Sequence, residues 1–253
     1  MAHRDEIVAH LDELLDSPGW PDYGPNGLQV PGADEVGLVV SGVSAHVDLF
    51  ERAAELGADM VLCHHGIFWD KAPRAISASM KSRLQALFGA DISLVSYHLP
   101  LDAHAELGNN ALICDALGLV RSEPFAEHGG RPIGWVGRTD SEGLGAGELI
   151  ERCRSAFGRE PLAFAEGPAT VRSVGIVSGG GAGSLGEAAT LGLDALVTGE
   201  PSEPAMADAR EAGVHFIAGG HYATETFGVR ALGERVAERF EVEHRFVEVP
   251  NPV

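Results

Sequence analysis

Leu38-Val39-Val40-Ser41-Gly42 returns 137 residues later as Gly175-Ile176-Val177-Ser178-Gly179. Leu56-Gly57-Ala58-Asp59-Met60-Val61-Leu62-Cys63 returns after 135 residues as Leu191-Gly192-Leu193-Asp194-Ala195-Leu196-Val197-Thr198. A third echo, offset by 123, sets His98 and Asp102 against His221 and Glu225. Self-similarity of this kind confines a chain to copies of one supersecondary unit. Each copy reads as strand, Gly-rich turn, helix (47–56; 185–191) and second strand. A third strand and a further helix follow (109–117; up to about 240). The short, unbroken apolar runs are those of parallel strands covered on both faces. The expected fold is therefore α/β: two intertwined α/β repeats from an internal duplication, each with a mixed sheet covered by helices. Residues 1–125 form the first repeat and 126–253 the second. Between the echoes, 133–138 reads as a strand and 149–157 as a helix. Residues 1–15 carry the pattern of an amphipathic helix rather than the apolar core of a secretory signal.

Composition excludes several functions. The 253 residues hold 37 acids against 18 bases, a net charge of −19. Such a field repels nucleic acid and anionic membranes, so broad nucleic-acid binding is not expected. No apolar run approaches the roughly 20 residues of a membrane span, and the expectation is a cytoplasmic protein. Lys71 and Lys81 are the only lysines. An acid-rich, lysine-poor, Ala- and Gly-rich chain is similar to halophilic proteins, in which salt screens self-repulsion. Cys63, Cys114 and Cys153 have no CxxC spacing and sit in apolar contexts, as buried small hydrophobes do.

Three segments could carry chemistry. His64-His65 ends the run Met60–Cys63. Strand alternation aims the two imidazoles in different directions, each toward its own ion. His98-Leu99-Pro100-Leu101-Asp102 brings an imidazole and a carboxylate to a strand end, and Pro100 argues for an ordered loop there. In His221-Tyr222-Ala223-Thr224-Glu225, Thr224 or a neighbour could cap the next helix, with Glu225 in its first turn. Singly, each has a plain structural reading as a packed imidazole, a turn or an acidic helix start. Jointly they offer three or four imidazoles and two carboxylates. That donor set suits zinc, manganese, iron or nickel and involves no thiolate. Glu200 occupies the repeat position of His65 and is a candidate catalytic or supporting acid. Gly179-Gly180-Gly181-Ala182-Gly183-Ser184 lacks the Lys of a phosphate-binding P-loop and reads as a flexible turn. Trp20, Trp69 and Trp135 read as packing residues.

These motifs occur in order with Pro25-Asn26-Gly27-Leu28-Gln29-Val30, Gly108-Asn109-Asn110 and Thr198-Gly199-Glu200-Pro201-Ser202-Glu203. From about residue 5 to 245 the chain resembles the Nif-three-like, YbgI-type dinuclear metal-centre proteins, often labelled GTP cyclohydrolase I type 2. The resemblance implies two divalent metal ions at the repeat interface, with the C-terminal helix contributing to the shared site. It also implies a homohexameric ring. Its metal ligands map to His64, His65, Asp102, His221 and Glu225, with Glu225 bridging. His98 falls near the metals as a supporting group or general base. Tyr222 stands where relatives commonly carry a second His. The implied activity is a dinuclear metal-dependent hydrolase that opens a purine nucleotide ring with metal-bound hydroxide. A non-catalytic metal-binding scaffold or regulatory ring is the alternative, and a phosphoesterase acting on small nucleotides the third.

The charge reading makes a direct prediction. The thermal midpoint should rise between low salt and about 2–4 M KCl, because ions screen acidic repulsion. An equal or lower midpoint at high salt would refute it.

Overall fold

A computed structural model describes all residues, 1–253. The elements in chain order begin with β1 (Ala2–His3), α1 (Arg4–Leu14), β2 (Gly27–Val30), β3 (Glu35–Val36), β4 (Leu38–Ser44), α2 (Val47–Leu56) and β5 (Met60–His65). They continue with α3 (Ala78–Gly89), β6 (Ser93–Ser96), α4 (Leu99–Ala103), α5 (Asn109–Ala116), β7 (Val120–His128) and β8 (Arg131–Arg138). Then come β9 (Leu144–Gly145), α6 (Ala146–Phe157), β10 (Leu162–Phe164), β11 (Thr170–Val171), β12 (Ser173–Val177), α7 (Leu185–Thr190) and β13 (Ala195–Thr198). The last are α8 (Ala205–Ala212), β14 (His215–Ala218), α9 (His221–Thr224), α10 (Thr226–Phe240) and β15 (Glu243–Phe246). No helix is long and apolar enough to cross a membrane.

The chain forms two compact units. One holds residues 1–101 and 228–250, the other 102–227 and 251–253. The chain thus leaves the first unit within α4 and re-enters it within α10.

In the first unit, five strands run in the order β15-β4-β5-β6-β2. β15, β4, β5 and β6 are parallel, and β2 is antiparallel on the edge. The interior strands are buried at nearly every position, as doubly covered parallel strands require. Leu49, Phe50 and Ala53 of α2 pack with Val40, Val61, Cys63 and Leu94 in one core. Gly57, at φ 71°, ends α2 in the left-handed conformation that a side chain disfavours. Tyr97, fully buried, donates its hydroxyl to Asp12 of α1 at 2.9 Å.

In the second unit, six strands run β10-β14-β13-β12-β8-β7, with β12, β13 and β14 parallel and the rest antiparallel. Alternation along these strands builds two cores. Val174, Ile176, Ala195, Val197 and Ile217 meet Ile113, Leu149, Cys153 and Phe157 of α5 and α6. Val177, Leu196, Phe216 and Ala218 meet Leu185, Ala188, Ala205 and Ala209 of α7 and α8. A Gly129-Gly130 turn, both residues at positive φ, joins β7 to β8.

The duplication read from sequence is visible within each unit. β4-β5-β6 and β12-β13-β14 are parallel triplets in the same order, each with an antiparallel strand beyond the third. One carboxylate performs the same task in both. Asp59 accepts the N–H groups of Gly37 and Leu38 at 2.8 and 3.0 Å, and Asp194 those of Arg172 and Ser173 at 2.7 and 2.9 Å. Each fixes the amino end of the first parallel strand to the turn before the second.

Three local expectations change. Residues 99–103 are a short helix, not a loop. Pro100 sits in its first turn, where a missing N–H costs nothing. Thr224 does not cap α10: its hydroxyl faces the Gly220 and His221 carbonyls and accepts from Gly179 N–H, and Glu225 lies at the junction of α9 and α10. At the N-terminus the helix begins at Arg4, with the His3 ring accepting from Asp5 N–H.

β15 is anchored by His244, whose Nε2 lies 2.7 Å from the Ser41 hydroxyl. Burial, and then the Arg230 charge, hold this imidazole below its ordinary value of 6.5. The unfolded chain therefore takes up the His244 proton first as pH falls, and folding stability falls with it. Between about pH 7 and 5, His244→Gln should lose less stability than the parent in urea unfolding. An identical pH slope in both would contradict this.

Candidate metal centre

Three parallel strands deliver their carboxyl ends to one edge of a sheet, where α/β proteins place ligands. In the first unit β5 ends in His64-His65, and His98 follows β6 directly. One ring nitrogen from each of the three lies within 4.8 Å of the others. The ring centroids of His64 and His65 are 4.8 Å apart, and those of His98 lie 5.0 and 5.4 Å from them. The two adjacent imidazoles stand where β5 runs out, His64 buried and His65 partly exposed.

The hydrogen bonds behind these rings fix their chemistry. His64 Nδ1 lies 3.0 Å from the Tyr97 carbonyl, which can only accept, so Nδ1 carries the proton. His98 Nδ1 donates to Asp22 Oδ1 at 2.7 Å in the same way. His65 Nδ1 faces the Ser44 hydroxyl at 3.2 Å. In His64 and His98 the lone pair is therefore on Nε2, and in His65 the same arrangement is available. Imidazoles that bind metals are oriented by such partners.

Asp22 is the group that sequence reading missed. Its carboxylate also accepts from Asn26 Nδ2 and Leu99 N–H, both at 3.0 Å. Burial alone would raise it, yet the His98 and Asn26 hydrogen bonds hold it down at about 2. The local signal was only an Asp among turn-forming residues (Pro21 to Gly27), and His98 lies 76 residues away. Trp69, read as a packing residue, does pack, but at an exposed position, its ring 5.3 Å from His98 and 5.8 Å from His65.

In the second unit, His221 opens α9 after β14 and sits between two carboxylates. Nδ1 contacts Glu200, and Nε2 lies 3.0 Å from Glu225. Burial would depress this imidazole, but Glu225 and then Glu200 raise it to about 9. Glu225 is buried and packs against Gly179, where a Cβ would approach its carboxylate to 2.3 Å. Asp102, also buried, accepts from Asn109 Nδ2 at 2.8 Å and from Ser178 Oγ at 3.1 Å. Asn110 accepts from Ser178 N–H at 2.6 Å and donates to the Ile133 carbonyl at 2.6 Å. The Gly-rich run after Gly179 forms a short 3-10 turn at Gly181–Ser184.

The cysteines play no part in these groupings. All three are buried and unbridged, and burial pushes each thiol up, Cys114 and Cys153 to about 12. The donors present are imidazole nitrogen and carboxylate oxygen, a set that fits a borderline divalent cation and excludes a soft thiolate site.

Fold and donors together define a duplicated α/β protein whose parallel-strand ends carry imidazoles and buried carboxylates. The family model described as Duf34/NIF3 (NGG1p interacting factor 3) matches residues 2–252. The chain belongs to this Duf34/NIF3 family. It is 41% identical over 247 residues to a Deinococcus radiodurans protein named GTP cyclohydrolase 1 type 2 homolog, covering 98% of this chain and 93% of that one. The Escherichia coli protein of the same name is 40% identical, with 98% of each chain covered. Among solved structures, one titled protein ybgI, unknown function, superposes with a TM-score of 0.94 at 39% identity over the whole of both chains. TTHA1606 from Thermus thermophilus gives 0.89 at 37% identity, again over both whole chains.

Asp22→Asn should expose the weight of the buried carboxylate. Replacing a charged acceptor that serves several donors should cost about 2 kcal/mol. It should also weaken the protonated Nδ1 signature of His98 in nitrogen-proton correlation spectra. Unchanged stability and an unchanged tautomer would contradict the arrangement described.

Proposed function

We propose that this protein is a metal-dependent hydrolase that binds two divalent cations through His64, His65, Asp102, His221 and Glu225. The observation that carries the reading is the imidazole trio at the end of β5 and β6, oriented by a carbonyl, a carboxylate and a hydroxyl. Packing alone does not call for three converging rings with their Nδ1 atoms turned away. Zinc, manganese, iron and nickel all suit the donor set. When bound, such a pair would polarise a substrate oxygen and make water nucleophilic near neutral pH.

The chain's own groups have distinct tasks. Asp22 holds His98 in one tautomer, so His98 Nε2 can take a proton from an attacking water. Glu200 holds Nδ1 of His221 and steers its Nε2. Asn109 and Ser178 direct the Asp102 carboxylate by donating to it. The name carried by the relatives supports a purine nucleotide such as GTP as substrate and ring opening as the reaction. A homohexameric ring in the cytoplasm belongs to the same reading.

Metal analysis and product analysis on the same samples test it. The parent should carry two divalent ions per chain and release formate or a ring-opened product from GTP. His64→Ala and Glu225→Ala should each lose at least one ion and reduce turnover by a hundredfold or more, in line with removal of a metal-site group. Fully loaded parent protein with no turnover of GTP or of a phosphoester panel would overturn the enzymatic reading in favour of a metal-binding scaffold.

A further inference from the structure

The first unit contains a cavity of about 280 Å³ lined by Pro25, Phe68, Trp69, Asp70, Arg74 and Ile76, among others. It adjoins the imidazole trio, because the Trp69 ring that forms its wall also contacts His98 and His65. Phe68 and Trp69 are 42% and 36% exposed, and both line this one cavity. The wall is braced. Asp70 N–H donates to the Tyr23 carbonyl at 2.8 Å, and Gly24 lies so close to the Phe68 backbone that a Cβ would come within 2.4 Å of its oxygen.

Charge singles out the same segment. Residues 68–83 contain both lysines of the chain, Lys71 and Lys81, together with Arg74 and Arg83, and only one acid, Asp70. A stretch with three net positive charges stands out in a protein of net charge −19. Lys71 and Arg74 are exposed. An anion approaching this protein meets attraction here and repulsion over much of the remainder.

We infer that this cavity binds a planar heterocycle carrying phosphate. The ring system would lie against Trp69 and Phe68, whose faces stack on any nucleobase. The cavity volume lies just below the roughly 300–1,000 Å³ of small-molecule sites, which gives room for one ring system and leaves the phosphates at the rim. Arg74, in the lining, would receive them there as a charge-assisted donor, with the exposed Lys71 three residues before it adding to the local positive field. The Asp70 carboxylate, inside the lining, selects ring edges that donate N–H groups over edges that only accept. The inference rests on the hydrolase reading for its significance, since it places a nucleotide beside His98, but its binding test does not need turnover.

The test titrates guanosine monophosphate, guanosine and ribose 5-phosphate into the purified full chain, with tryptophan fluorescence and calorimetry as readouts. Metal content is determined for every variant. The parent should bind the nucleotide at least tenfold more tightly than ribose 5-phosphate. Trp69→Ala should retain its metal and weaken the nucleotide by tenfold or more, while leaving ribose 5-phosphate unchanged. Lys71→Glu with Arg74→Glu should abolish the preference for the nucleotide over guanosine. Equal nucleotide affinity in parent and Trp69→Ala would overturn the inference. So would a Trp69→Ala variant that changes only the oligomeric mass, which would mark the patch as an interface between copies. Nucleotide binding through Trp69 without turnover leaves the cavity standing and removes the hydrolase. Turnover that is indifferent to Trp69 and Arg74 does the reverse.

Discussion

A parallel strand cannot be followed directly by its neighbour, so the chain must leave its carboxyl end and cross back before the next strand begins. Three such strands side by side therefore open three departing segments along one edge. In this protein that topological necessity is where the polar residues are spent. His64 and His65 end β5, His98 leaves β6, Glu200 leaves β13, and His221 leaves β14. The strands behind them are almost wholly apolar and buried, which gives the edge in each unit a rigid base.

Rigidity at the edge comes from second partners more than from the strands alone. A buried imidazole can take two tautomers, and only the right one presents a lone pair to a cation. Here a backbone carbonyl selects for His64 and a carboxylate for His98. Asp22 is itself held by donors from Asn26 and Leu99, so its orientation is set before any ligand arrives. In the second unit, Asn109, Asn110 and Ser178 tie Asp102, β8 and β12 into one buried network. Such networks hold a site only when all members are satisfied.

The parts of this design legible in sequence were those carried by local pattern. The echoed apolar runs became the two parallel triplets, and α2 fell on the expected span Val47–Leu56 because its Leu49, Phe50 and Ala53 keep helical spacing before Gly57. The same echo contained Asp59 and Asp194, whose matching roles became apparent only in the folded chain. Pro100 misled because its effect depends on position within a helix, and a one-turn helix has little beyond a first turn. Asp22 was invisible for a different reason. Its partner is distant in sequence, and an Asp in a Pro- and Gly-rich stretch looks like any turn residue. Trp69 likewise gave no sign that it would face a cavity rather than the core.

The proposed function requires imidazoles and carboxylates, and no thiolate, to grip a pair of cations. X-ray absorption at the edge of the bound metal addresses this most directly. The account predicts nearest neighbours of nitrogen and oxygen only, outer scattering from imidazole rings, and a metal–metal distance of about 3.5–4 Å. A sulfur neighbour at about 2.3 Å, or spectra lacking imidazole scattering, would contradict it.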